Sequence, residues 1–256
     1  MSRSIQISLV TANFGRGVKA PEARENFHRL HLKAPGAFIG FQEIDEDNPG
    51  VEEGTRIISQ FVPPHTELAD DYDFVGLLTG APWQRATPIA VPTTWRVVSK
   101  DVKKTSDGVK HGTPHRVVVT ARCRSVEKPD FPEVLFLNGH YPLDHSHKHP
   151  ELNDTLKERW HDCQKSWVDH VKELHRDTGL TILTTRDANH GKGMPPLHPD
   201  EKQFLDAGLI DRISVIPAEV DSPDRVTVEV LERTVIDLTI DKHNAHMVRL
   251  RLTAAG

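Results

Sequence analysis

Two short strings far apart in the chain end apolar runs on groups that can do chemistry. Phe38-Ile39-Gly40-Phe41-Gln42-Glu43 closes on a single carboxylate, and Thr184-Thr185-Arg186-Asp187-Ala188-Asn189-His190-Gly191 closes on an Asp and an Asn two residues apart. Short apolar runs bounded by turn signals read as buried strands. In layered folds the strand ends and the loops after them carry the reactive groups. Two carboxylates and an amide delivered to strand ends from distant segments suit a metal-assisted hydrolytic site.

Each string also has a plain reading. Glu43 is a hard oxygen ligand of the kind Mg²⁺ and Mn²⁺ take one or two of, with water and phosphate filling the rest, or it is a surface Glu at a loop start. Asn13 stands at a similar strand end and alone is a turn residue. Asp187 and Asn189 alternate, so in extended chain they point the same way: one to direct a water, the other to hold a phosphate oxygen, or both as part of an Asx-rich turn. Asn138-Gly139-His140 ends another strand, where a His can bond a phosphoryl oxygen or exchange a proton near neutral pH. Asp211 in Gly208-Leu209-Ile210-Asp211-Arg212-Ile213 and His243 in Asp241-Lys242-His243-Asn244-Ala245 each precede a strand. An Asp that accepts the Nδ1–H of a His fixes its tautomer, and these two suit that pairing, although the chain alone does not show that they meet. Asp144-His145-Ser146-His147-Lys148-His149 looks like a metal tract. It reads as a mobile polar loop, because no helix or strand fixes its ligand geometry.

The elements that must hold these groups follow from periodicity. Alternation marks a strand over Ser4–Val10, and shorter apolar runs mark Ala37–Phe41, Val75–Leu78, Pro88–Val91 and Trp95–Ser99. Arg116–Arg122 and Glu133–Leu137 flank a polar turn, as in a hairpin. Leu180–Leu183, Ile210–Ile216, Val226–Leu231 and His246–Leu252 complete the strands. Ala23, Phe27 and Leu30 predict a helix over Pro21–Leu32, and Ile57, Ile58 and Phe61 another ended by Pro63-Pro64. Leu156, Trp160, Cys163, Trp167, Val171 and Leu174 form one apolar stripe over Asp154–His175. Asp200–Ala207 reads as a short helix stopped by Gly208.

At 256 residues with 37% apolar content the chain can bury a sizeable core, and no Ser- or Gly-rich linker divides it. One α+β domain over residues 1–256 is the simplest account. A net charge of −5 gives no basic footprint for nucleic acid, though a local patch matters more than the total. No apolar stretch approaches the roughly 18 residues a membrane span needs, and the start lacks a signal-peptide core. Cys123 and Cys163 are too few for a disulfide framework and read as small buried apolar residues, so a reducing cytoplasm fits best. No membrane and no obligate protein partner is expected.

Taken in order, the strings ending at Asn13 and Glu43, Asn138-Gly139-His140, Asp187-x-Asn189, Ile210-Asp211-x-Ile213 and His243 before a terminal strand resemble the endonuclease/exonuclease/phosphatase superfamily over nearly the whole chain. Met194-Pro195-Pro196-Leu197-His198-Pro199 through Ile210-Asp211 resembles its members from actinobacteria and their phages. The resemblance implies a DNase I-like four-layer α/β sandwich, two packed β-sheets flanked by helices. It implies Mg²⁺- or Mn²⁺-dependent hydrolysis of a phosphate ester, most simply a phosphodiester or nucleic acid.

By position, the resemblance makes Glu43 the main metal ligand, assisted by Asn13. Asp187 orients the water, Asn189 and His140 hold the phosphate, and His243 supported by Asp211 stabilises developing charge. Asn138 and Arg116 fall at substrate-facing positions. Two departures stand out. Arg186 replaces the Gly of the family's Gly-Asp-x-Asn. Lys242 stands where its Ser-Asp-His carries a second metal-binding carboxylate, a role Asp241 takes if the loop shifts by one residue. These departures support another reading, a catalytically weakened member kept as a binding or structural protein, and the acidic total charge leaves open a phosphatase acting on a small phosphorylated substrate.

Overall fold

The computed structural model describes residues 3–15, 20–44, 70–76, 87–108, 115–191, 193–205, 209–219, 222, 224–239 and 243–254. The helix expected around Ile57–Phe61, and Asp241 and Lys242, lie outside them. Strands β1 (Arg3–Asn13), β2 (Phe38–Gln42), β3 (Tyr72–Val75), β4 (Ile89–Pro92), β11 (Val226–Asp237) and β12 (Asn244–Ala254) form one sheet in the order β11-β12-β1-β2-β4-β3. Strands β5 (Trp95–Ser106), β6 (Arg116–Ser125), β7 (Val134–His140), β8 (Thr181–Asp187), β9 (Lys202–Gln203) and β10 (Asp211–Ile216) form the other, in the order β5-β6-β7-β8-β10-β9.

The two sheets repeat one plan. Each has a single parallel pair, β1–β2 and β7–β8, and every other pairing is antiparallel. A parallel pair needs a crossover. Helix α1 (Ala20–Lys33) supplies the first and helix α2 (Asn153–Thr178) the second. The four strands of the two βαβ units therefore lie centrally, two in each sheet.

Strand alternation sorts the side chains into three apolar layers. Ile7, Leu9, Phe38, Val134, Phe136, Leu183, Ile213, Val248 and Leu250 fill the space between the sheets. Val10, Ala12, Ile39, Phe41 and Met247 face the other way and pack on Ala23, Phe27 and Leu30 of α1. Val118, Leu135, Leu137, Ile182 and Ile216 pack on the Trp160, Cys163, Trp167 and Val171 stripe of α2. The order is helix, sheet, sheet, helix, as the resemblance implied. Gly179 ends α2 in the left-handed conformation, its N–H bonded to His175 O at 2.9 Å. Cys123 and Cys163 are buried free thiols, both pushed up to about 12 by burial. Among the described residues no helix is long and apolar enough to cross a membrane.

Segment 200–205 departs from the helix expected there. The Glu201 side chain is fully buried: one carboxylate oxygen accepts Leu197 N–H at 2.6 Å and the other pairs with Arg186 Nη2 at 2.9 Å. Phe204 N–H then bonds Ile213 O at 2.9 Å, and Lys202–Gln203 pair with β10 as an edge strand. A buried ion pair and sheet hydrogen bonds outweigh helix propensity in so short a segment.

Above the apolar core between the sheets lies a polar layer. Asn138 on β7 is buried and crosses to the other sheet. Its Oδ1 accepts Gln42 Nε2–H at 2.7 Å and Thr185 Oγ1–H at 3.0 Å. Its Nδ2 donates to Phe41 O (2.7 Å), Thr87 O (3.1 Å) and Pro88 O (3.1 Å). Gly40 makes room for this: a Cβ there would stand 2.0 Å from Thr185 Oγ1 and 2.3 Å from Asn138 Oδ1. Gly40→Ala should destabilise by about 1–3 kcal/mol through overpacking. Asn138→Ala should cost at least about 2 kcal/mol by orphaning buried partners. Urea denaturation of the double variant should show less than the summed loss, because removing Asn138 frees part of the space the new methyl needs. Strict additivity would mean that the two residues do not share this layer.

Candidate active site

The residues that end the four βαβ strands meet at one end of the sandwich. On β1, Leu9, Thr11 and Asn13 share the face turned to the other sheet. The same holds for Phe38, Gly40 and Gln42 on β2, for Phe136, Asn138 and His140 on β7, and for Leu183, Thr185 and Asp187 on β8. Strands β1, β7 and β8 thus pass from an apolar residue through the polar layer to Asn13, His140 and Asp187, while on β2 Gln42 joins that layer and Glu43 follows it. Asp211 on β10 and His246 on β12 continue the inner faces of their own strands in the same way.

The contacts tie these groups together. Asn13 Nδ2–H donates to Asp187 Oδ2 at 2.8 Å, across 174 residues of chain. Asp187 Oδ1 accepts the Asn189 backbone N–H at 2.8 Å, so both carboxylate oxygens are anchored. Asn189 Nδ2 donates to Tyr141 O at 2.8 Å and sits 2.8 Å from His140 Nε2. The carbonyl partner fixes Nδ2 as the amide's donor end, so His140 Nε2 is the acceptor. That same Nε2 lies 3.8 Å from Glu43 Oε1 and 3.8 Å from Asp187 Oδ2. Glu43, Asp187, Asn189, His140 and Asn13, all singled out from the sequence, are therefore brought together.

Two of these residues sit on unusual backbone. Glu43 has φ 59° and Asn189 φ 47°, the only non-glycine residues with positive φ among those described. Each is the first or second residue past the second strand of a βαβ unit. Left-handed backbone is uncommon for Asn and less favourable still for Glu, and such positions cluster at functional sites.

Asp211 faces Asp187 across the β8–β10 ladder. Burial first, and the Asp187 charge second, push its carboxyl well above the usual range, with Arg212 opposing. Its neighbour is His246, whose Nε2 is 3.9 Å from Asp211 Oδ2, long for a hydrogen bond; burial lowers the affinity of that imidazole for a proton. The expected pairing of Asp211 with His243 is thus replaced by one with His246, through Nε2. The reason is period two: His246 shares a face with Val248 and Leu250, whereas His243 lies three residues away, before the strand begins. With His246 in the histidine place of the motif, the residue before it is Ala245, not Lys242, and it packs toward α1.

Three other expectations change. Asn138 spends its whole hydrogen-bonding capacity on the inter-sheet tie and is not substrate-facing. Arg116 is buried at the start of β6 on the face that carries Val118 and Thr120, toward α2, where its charge acts on Cys163. Arg186 alternates with Asp187 and points away from the site into the ion pair with Glu201. That ion pair, with bonds from Ser214 and Leu197, holds the Glu201 carboxyl below its usual range against the opposing effect of burial. Among the described residues no group of three or more His, Cys, Asp or Glu is disposed to hold a metal.

No protein-family model matches the chain, and no curated protein matches it by sequence. Solved structures do match in three dimensions. An endonuclease/exonuclease/phosphatase from Bacteroides vulgatus superposes with a TM-score of 0.65 at 13% identity, covering 96% of this chain and 98% of that one. Truncated TDP2 from Caenorhabditis elegans gives 0.60 at 16% identity, covering 98% of both. The Bacteroides thetaiotaomicron mannosyl-6-phosphatase Bt3783 gives 0.55 at 14% identity, covering 97% of this chain and 100% of that one. At such identities the likeness is one of architecture, and the architecture is that of the endonuclease/exonuclease/phosphatase proteins, the DNase I-like fold.

Proposed function

We propose that this chain is a divalent-metal-dependent phosphoesterase that hydrolyses phosphodiesters, nucleic acid among them. The observation that carries this reading is the convergence of Glu43, Asp187, Asn189, His140 and Asn13 at the ends of the four βαβ strands, linked by direct contacts. The fold is shared with proteins named as endonuclease/exonuclease/phosphatase and as a phosphatase, which supports the class of reaction.

The donor set is all hard oxygen, with Glu43 its exposed-side carboxylate. Mg²⁺ and Mn²⁺ are held by as few as one or two carboxylates, the rest of the shell being water and substrate phosphate. Glu43 with the Asn13 carbonyl fits such an open site, and Ala245 supplies nothing in place of a second carboxylate. Bound there, the ion would polarise the phosphoryl group as a Lewis acid. Asp187, fixed by Asn13 and Asn189, retains a lone pair on each oxygen to orient a water and take its proton. Asn189 and His140 hold each other in place beside it; the Asn189 amide spends its two hydrogens on Tyr141 O and His140 Nε2, so a phosphate oxygen would be held there only by displacing one of these bonds. His246, with Asp211 behind it, stands where charge develops on the phosphoryl oxygens. Catalytic contacts are often long without substrate and shorten in the complex, as the 3.9 Å separation requires.

The weakened-member reading loses both cations that favoured it, although the second carboxylate stays missing. The Arg186 charge is spent on Glu201 behind the sheet, and Ala245, not a lysine, precedes the site histidine. A phosphodiester panel with Mn²⁺ or Mg²⁺ tests the proposal. Chelation should abolish turnover, and Glu43→Gln should raise the metal concentration for half-activity by about tenfold or more. His246→Gln should lower kcat by about 10²-fold or more, and His243→Gln should do far less. The reverse order of the two histidine variants would restore His243 to the site, and turnover that survives chelation would remove the metal.

A second expectation concerns stability. Asp211 has a folded-state pKa above its unfolded value, so below about pH 4 it is protonated in both states and costs nothing. As pH rises, the unfolded chain ionises first and the folded state loses relative stability until its own pKa is passed. Asp211→Asn should therefore resist urea better than wild type at pH 7, with the difference vanishing below about pH 4, while its turnover falls. Lower stability of Asp211→Asn at pH 7 would show that the native carboxylate is ionised and paired.

A further inference from the structure

One residue past Asn189, the chain carries an imidazole held by two side chains, on backbone held by a third, that no role above uses. His190 Nδ1 lies 2.8 Å from Asp144 Oδ2. Its ring packs on the Trp160 indole, centroids 4.6 Å apart and planes at 39°. Trp160 is itself pinned by Nε1–H to Ala188 O at 2.8 Å, the residue between Asp187 and Asn189. Beneath the loop, buried Arg212 donates through Nη2 to His190 O at 3.1 Å and Gly191 O at 2.6 Å. Asp144 also accepts from His145 Nδ1 at 2.6 Å, and its loop is held by Ser146 N–H on Asn153 Oδ1 at 2.6 Å. Such fixation is unusual for a side chain about a third exposed.

The arrangement decides the chemistry. Burial alone would raise the Asp144 carboxyl, but hydrogen bonds from His190 and His145 outweigh it and hold the carboxyl below its usual range. An ionised carboxylate only accepts, so Nδ1 of His190 is the donor in the pair. That leaves Nε2, which has no partner among the described residues. An Asp-held imidazole with one free nitrogen is the standard form of a proton donor or acceptor. The base in this site is already present as Asp187, three residues away.

We propose that His190, oriented by Asp144, is the acid that protonates the departing ester oxygen, and that the site is thereby adapted to phosphate esters of aliphatic alcohols such as sugar hydroxyls. The inference rests on the phosphoesterase reading. In the step, the water oxygen forms the new bond to phosphorus and gives a proton to Asp187. The bond from phosphorus to the ester oxygen breaks, its electron pair stays on that oxygen, and the oxygen takes the Nε2 proton. Neutral His190 and protonated Asp187 then exchange protons with solvent. A sugar alkoxide is a poor leaving group and needs that proton; a nitrophenolate does not.

The test compares thymidylyl-thymidine with thymidine 5′-(p-nitrophenyl phosphate) in wild type, His190→Gln and Asp144→Asn, each checked for an unchanged thermal midpoint. For His190→Gln the loss in kcat on the dinucleotide should exceed the loss on the nitrophenyl ester by at least about tenfold. Asp144→Asn should show the same split, smaller. Equal losses on both esters, or no loss on either, would overturn the assignment while leaving the phosphoesterase reading intact, because wild-type turnover of the nitrophenyl ester supports that reading by itself. Wild-type turnover of neither ester would overturn both.

Discussion

The structure depends on a close approach of two sheets at a single polar layer. Apolar side chains keep stacked sheets about 10 Å apart. Here, one layer above the core, Asn138 reaches from one sheet to three backbone carbonyls of the other, and Gln42 and Thr185 close on its oxygen. The approach requires that Gly40 have no side chain. Unpaired, these buried groups would be costly; fully paired, they fix the register of the sheets more strictly than apolar packing does. The next residue outward on three of the same strands is Asn13, His140 or Asp187. The Asn13–Asp187 bond across the cleft is possible because the layer beneath it cannot slide.

The repeated plan of the sheets explains why the reactive groups gather where they do. Each βαβ unit sends two parallel strands toward the same end of the sandwich, and the residue after the second strand in each unit must turn sharply away. Glu43 and Asn189 make those turns with positive φ. The turns bring the Glu43 carboxylate and the Asn189 amide to His140 Nε2, a group from the first strand of the second unit. The strain at the turns and the packing of carboxylates near one another both oppose folding. The raised Asp211 carboxyl has the same origin, a second buried acid set opposite Asp187. A site of this kind gives up stability for the ability to bind and stabilise charge.

Where periodicity carried a side chain's direction, the sequence could be read. Glu43, Asp187, Asn189, His140 and Asn13 stand at ends of apolar runs, and the runs themselves mark the strands. Reading failed where a neighbour in space, not in sequence, decides the role. Asn138 looks like a strand-end polar group until the opposite sheet consumes every atom of its amide. Arg116 needed only its parity: the residues at 117, 119 and 121 face the inter-sheet core, so 116 faces the helix. His246 was legible by the same rule applied to Val248 and Leu250, but it lies inside an apolar strand and reads as part of it. The fixation of His190 was beyond reach, because it depends on Asp144, Trp160 and Arg212, which lie 22 or more positions from it in the chain.

The two faces of β8 and β10 show how a sequence can depart from a motif without disturbing its site. Their inner faces carry Asp187 and Asp211 toward the cleft; their outer faces carry Arg186 and Arg212 beneath α2. Replacing a small residue by arginine at 186 would leave a buried charge behind β8, which is prohibitive unless it is neutralised. Glu201 neutralises it, and doing so draws the segment after Pro199 onto the sheet edge as β9 in place of a helix. Arg212 meets the same requirement differently, by bonding the carbonyls of Leu209, Asp211, His190 and Gly191. One arginine thus sets the course of the chain that leads into β10, and the other fixes the loop that follows Asn189. The charges that looked like interference in the sequence are held behind the sheet, and from there they shape the rim of the cleft.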